Sequence, residues 1–124
     1  MIKKGDAIVG KHVYGSLYEV VDEAYDNEEF LKSVVIEAVK AAKASLIDIK
    51  SWKIDGDKGG VSVIALVEES HIAIHTWKEY KYATYDIYTC GEHTDPIKAF
   101  NIIKEKLKPR KWTFNYSDRS QLRE

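Results

Sequence analysis

The chain has 124 residues, 44% of them hydrophobic, and 19 basic against 20 acidic side chains give a formal charge of -1. That length predicts a single domain over 1–124 with enough apolar content for a core, and the balanced charge excludes a general attraction to nucleic acid or to an anionic membrane. Cys90 is the only cysteine, which excludes an intrachain disulfide and a multi-cysteine zinc site.

After a polar leader, AIVGKHVYGSLYEV (7–20) mixes β-branched, aromatic and glycine residues as a first strand does, with a bulge possible at a glycine. In DNEEFLKSVVIEAVKAAKAS the period changes. Asp26 followed by Glu29 reads as a capping box, and Phe30, Leu31, Val34, Val35, Ala38 and Ala42 recur at helical spacing. LIDIKSWKI (46–54) alternates as a strand, DGDKGG (55–60) supplies turn residues, and VSVIALV (61–67) is as apolar as a central strand covered on both faces. HIAIHTW (71–77) alternates strictly, with His71, Ala73, His75 and Trp77 on one face and Ile72, Ile74 and Thr76 on the other. KYATYDIYTC (81–90) predicts a further strand ending at Cys90. Thr94 or Asp95 can cap a second helix, with Pro96 in its first turn and Ala99, Phe100, Ile103 and Leu107 as its apolar stripe. KWTFNY (111–116) predicts a last strand, before a polar tail without fixed order.

The pattern predicts an α+β fold: a largely antiparallel β-sheet with two helices on one face, an α/β sandwich completed by dimerisation. A second copy is expected because the central strands read as apolar on both sides. No basic start followed by an apolar core is seen, and no apolar run nears the roughly 20 residues of a membrane span, so the expected location is cytoplasmic.

Residues 68–77 crowd chemistry into one short stretch. His71 and His75 share a strand face, yet a metal would need a third ligand from Cys90, His93 or a carboxylate whose position the sequence leaves open, so no metal is expected. Ser70 lacks the GxSxG elbow of a hydrolase. Glu68 and Glu69, as strand neighbours, point to opposite faces and do not make an acid/base pair. DGDKGG is acidic and precedes no helix, which argues for a turn over a phosphate loop.

ESHIAIHTW, followed by EY, YATYDIYTCG and a DPIKAF helix, resembles the prokaryotic S-adenosylmethionine decarboxylase family of pyruvoyl enzymes, from VGKHVYG to the second helix. The resemblance implies a proenzyme that cuts itself between Glu69 and Ser70, leaving 1–69 as a β chain and 70–124 as an α chain. It implies that Ser70 becomes the pyruvoyl cofactor, whose carbonyl forms a Schiff base with the substrate amine. His75 matches the family's processing proton acceptor and donor, Ser62 a serine that assists processing, and Cys90 the catalytic proton donor. Adjacent strands are expected to bring Ser62, His75 and Ser70 together.

Glu79 matches a glutamate that contacts substrate in the family, and Lys78 stands where proline is usual. The sequence departs from the family in SWKIDGDKGGVSV: Trp52 matches one adenine-stacking ring, but Asp55 or a neighbouring glycine occupies the second aromatic position. A carboxylate there suits a guanidinium, as in the family's arginine decarboxylase offshoot of archaeal type. The expected reaction is therefore arginine to agmatine and carbon dioxide, with S-adenosylmethionine as the alternative substrate and an unprocessed regulatory dimer partner as a third reading. Either product feeds polyamine, including spermidine, synthesis. The expected partners are a small amine substrate and further copies of the chain, in a homo-oligomer of αβ units that is at least a dimer, with no nucleic acid and no membrane.

Overall fold

The computed structural model describes residues 7–122. Its strands are β1 (Gly10–Tyr18), β2 (Leu46–Ile54), β3 (Gly60–Val67), β4 (Ser70–Trp77), β5 (Tyr82–Cys90), β6 (Lys111–Trp112) and β7 (Asn115–Asp118). Helices α1 (Glu23–Asp26), α2 (Glu28–Ala41) and α3 (Pro96–Leu107) complete it. The seven strands form one sheet in the order β2-β3-β4-β5-β1-β6, with β7 also on β1, and every pairing is antiparallel. Short turns make β2 to β5 a meander, and β1 lies beside β5 on its far side.

The helices all lie on one face. Helix α2 packs across β2, β3 and β4, α3 across β1 and β5, and the two helices on each other. Strand alternation decides what they cover: Val61, Val63, Ala65, Ile72, Ile74, Ala83, Tyr85, Ile87, Val13 and Leu17 are buried there against Leu31, Val34, Val35, Ala38, Phe100 and Ile103. Each fully buried Val, Leu or Ile contributes roughly 1.5–3 kcal/mol, so this layer holds the domain together. The α+β sheet with helices on one face is the predicted architecture.

The details differ in four places. Asn27, not Asp26, caps α2, its Oδ1 accepting the Phe30 N–H at 3.0 Å. Asp26 instead ends the short turn α1, so the chain redirects one residue later, where Asn27 adopts φ -117° and ψ 100°. At α3 the cap is Asp95, one of the two expected candidates, which accepts the Lys98 N–H at 3.1 Å. The predicted last strand is split into β6 and β7, and residues 119 and 121 of the tail pair on: the Arg119 N–H donates to Gly10 O at 2.9 Å and the Gln121 N–H to Ile8 O at 2.8 Å. Residues 123–124 of that tail lie outside the described residues.

The fourth difference concerns the open face. Leu66, 41% exposed, and Ile64 are apolar there, but the neighbouring positions are Ser62, His71, His75, Asp86, Tyr88 and Cys90, so the central strands are not apolar on both sides. Among the described residues no helix covers this face, and none is long and apolar enough to cross a membrane.

Candidate active site

Strands β3 and β4 are joined through Glu68 and Glu69, because Val67 pairs with Ser70. Ser70 leaves this tight turn at φ 142°, a conformation that costs a residue with a side chain on the order of 1–3 kcal/mol and persists only where the surroundings impose it. Its Oγ lies 3.5 Å from the Sγ of Cys90, the last residue of β5. The Cys90 main-chain N–H donates to Glu69 O at 2.9 Å. A donor is thus already aimed at the carbonyl that a nucleophile from Ser70 would attack, where negative charge would develop.

Glu69 is held through its side chain as well. Its Oε1 accepts the Ser45 N–H at 3.0 Å and its Oε2 accepts from His93 Nε2 at 3.0 Å. Burial pushes this carboxyl up, but the Ser45 N–H and His93 outweigh it and hold the group below the usual carboxylate range.

The second cluster lies at the other end of β4. Trp52, Ser62, His75 and Thr84 form one row across β2, β3, β4 and β5, and His75 Nδ1 is 2.8 Å from Ser62 Oγ. The Trp52 and Trp77 rings flank His75 at centroid distances of 6.3 and 6.4 Å. The structure therefore joins Ser62 to His75 and Ser70 to Cys90, but does not join the two pairs within one chain. Ser70 and His75 are five residues apart on an extended strand, about 16 Å at 3.3 Å per residue.

Asp55 and Glu79, both exposed, line a cleft of about 310 Å³ at this second end, together with Tyr25, Asp26, Lys53 and Lys78. Lys78 makes a contact that the family's usual proline does not: its main-chain N–H donates to Gly59 O at 2.9 Å. Its ammonium also reaches Asp26 at 3.0 Å.

Between the two clusters stands a constellation missed in the sequence. His12 Nε2 and His71 Nε2 donate to the two carboxylate oxygens of Asp86 at 2.8 and 2.7 Å. The His71 hydrogen bond, aided by His12 and opposed by burial, holds the Asp86 carboxyl below its ordinary range. Tyr88 has its ring 5.9 Å from each imidazole, with the Arg119 guanidinium 4.3 Å over it. Period-two spacing from Cys90 back to Tyr88 and Asp86 was the signal that could have found it. His71 is thus committed to a carboxylate, and among the described residues no group of three His, Cys, Asp or Glu side chains, this one included, is arranged to hold a metal ion.

Comparison with known proteins assigns the chain to a family. The family model described as S-adenosylmethionine decarboxylase matches residues 11–120. An arginine decarboxylase proenzyme of Aeropyrum pernix is 60% identical over 98% of this chain and 92% of its own length. One of Hyperthermus butylicus is 60% identical over 95% of this chain and 83% of its own. A crystal structure of the adenosylmethionine decarboxylase from Aquifex aeolicus superposes with a TM-score of 0.83 at 30% identity, covering 94% of each chain. With the match spanning nearly every described residue and the Ser70–Cys90 pair set at the β3–β4 turn, the chain belongs to the S-adenosylmethionine decarboxylase family.

Proposed function

We propose that this chain is a pyruvoyl-dependent arginine decarboxylase, made as a proenzyme that cuts itself between Glu69 and Ser70 and then converts arginine to agmatine and carbon dioxide. The observation that carries the processing step is the Glu69–Ser70 junction, where a strained serine follows a carbonyl held by the Cys90 N–H. Ser70 Oγ adds to Glu69 C, the C–N bond breaks and an ester replaces the amide. Loss of the Ser70 Cα proton then expels the Glu69 carboxylate, and hydrolysis of the resulting enamine releases ammonia and leaves a pyruvoyl group at the start of 70–124.

The residues present fit that group. Its position, beside Cys90 Sγ, places a thiol where a proton must be returned to carbon after carbon dioxide leaves. When formed, the group supplies an electrophilic carbonyl that takes the substrate amine and accepts electrons from the breaking bond. Two features support arginine: the 60% identical relatives bear the name arginine decarboxylase proenzyme, and Asp55 and Glu79 share one cleft, where carboxylates suit a guanidinium. Trp52, 41% exposed and flanking His75 at a centroid distance of 6.3 Å, is left to stack on an aliphatic or planar part of the substrate.

The separation of about 16 Å between Ser70 and His75, at 3.3 Å per residue along β4, supports an assembly of at least two copies. An antiparallel arrangement of two open faces sets the Ser62–His75 end of one protomer against the Ser70–Cys90 end of its partner, so each site draws on both chains. His75 is then the base that takes the Ser70 hydroxyl proton, with Ser62 fixing its ring.

Denaturing electrophoresis tests processing: two fragments, 1–69 and 70–124, are expected in place of the 14.2 kDa band, while Ser70→Ala stays whole. A persistent full-length band in the unaltered chain defeats the proenzyme reading and leaves the regulatory one. Carbon dioxide released from carboxyl-labelled arginine, and not from S-adenosylmethionine, is expected of the cut protein; the reverse overturns the substrate.

A further inference from the structure

Two donors reach Glu69 from one short segment. The Cys90 N–H holds its main-chain oxygen, and His93, three residues on, holds its carboxylate. We propose that His93 is a positioning residue for self-cleavage, strapping the Glu69 side chain so that the scissile carbonyl stays on the Cys90 N–H and Ser70 stays in its strained conformation. This rests on the processing reading above.

The build of the segment favours a purpose beyond packing. His93 has a side chain 58% exposed, so it adds little to the core, and its polar partner is the residue before the cut. Gly91 has φ 99°, and a Cβ there would lie 2.7 Å from His93 Cε1. Glycine thus lets the imidazole fold back over the turn toward Glu69. The turn itself is braced: Thr94 Oγ1 donates to Gly91 O at 3.0 Å, and the Lys11 ammonium, from β1, donates to Thr94 O at 2.7 Å. A serine at φ 142° persists only where its neighbours over-determine it. With His93 gone, the Ser45 N–H alone would hold the Glu69 carboxylate, and the carbonyl could rotate off its donor.

Cell-free synthesis of the full chain, sampled over time on denaturing gels, gives the cleavage half-time. His93→Ala is expected to lengthen it about tenfold or more, since small misplacements of reacting atoms cost at least that much. His93→Gln, whose amide N–H reaches the position of Nε2–H, is expected to restore most of the rate. Glu69→Ala is expected to cut slowly too, and the double variant no more slowly than the slower single one, because both remove one interaction. Melting curves confirm that each variant folds. Cleavage of His93→Ala at the wild-type rate, a His93→Gln no faster than His93→Ala, or additive slowing in the double variant overturns the assignment. Failure of the unaltered chain to cut defeats the proenzyme reading itself.

Discussion

At the residue scale the sheet spends one carboxylate on two imidazoles. Asp86 is flanked by His12 and His71, the latter next to Ser70 in sequence, so the carboxylate fixes the ring beside the strained serine. Its pKa is depressed in the fold, so the stabilisation is fully present above the unfolded value of about 3.9 and disappears as pH falls through the lower folded value. The Asp86 side chain is 41% exposed, so solvent screens the pair and the effect is modest. Asp86→Asn is expected to lower the melting temperature by roughly 2–6 °C at pH 7, with that gap narrowing steadily in melts taken as pH falls below the unfolded value of about 3.9. A gap unchanged by acid would mean that packing, not charge, is what the substitution removes. Single residues were only partly legible in the sequence. The resemblance singled out Ser70 and Cys90, but Asp86 pairs across strands, and Glu69 looked like a mere leaving end because Ser45 and His93 are distant in sequence from it.

At the scale of elements, periodicity read well and ends read poorly. Alternation in 71–77 sorted Ile72, Ile74 and Thr76 into the core, and the α3 stripe of Ala99, Phe100, Ile103 and Leu107 is buried as spaced. The split between β6 and β7 was illegible because its cause is non-local. Thr113 lies over Gly15 of β1, its N–H donating to Ser16 O at 2.9 Å while its carbonyl accepts the buried Tyr85 hydroxyl at 2.8 Å. Gly15 pairs with Tyr85, and a Cβ on Gly15 would collide with the Thr113 carbonyl, so the missing side chain is what lets the hydroxyl find a partner. Gly15→Val is expected to push Thr113 away, orphan that hydroxyl and destabilise the domain by about 2–4 kcal/mol, summing overpacking with the lost hydrogen bond. Urea titration measures this; a loss under 0.5 kcal/mol would show that the last strands adjust freely.

For the whole molecule, adjacent strands were expected to bring Ser62, His75 and Ser70 together, but His75 lies five residues along β4 from Ser70, about 16 Å at 3.3 Å per residue, so the two do not meet in one protomer. Mixed assemblies can probe this directly. In a pair that combines a Ser70→Ala chain with a His75→Ala chain, one site lacks both groups and the other keeps both. Co-expression of two differently tagged variants, neither of which cuts alone, is therefore expected to yield cleavage of the His75→Ala chain only. No cleavage in the mixture, with mixed pairs present by tag pull-down, would place Ser70 and its base in the same protomer.

The strand order β2-β3-β4-β5-β1-β6 carries a last consequence. A cut between Glu69 and Ser70 assigns β1, β2 and β3 to one piece and β4, β5, β6 and β7 to the other, yet β1 lies between β5 and β6. Neither fragment owns a contiguous sheet. The pieces are interlaced like the fingers of two hands, and separating them breaks the sheet along three borders, at β3–β4, at β5–β1 and where β6 and β7 meet β1. A protein cut there would therefore be an association whose unfolding is also a dissociation: dilution would weaken it, and reassembly after denaturation would become a second-order encounter between two chains that were once a single one.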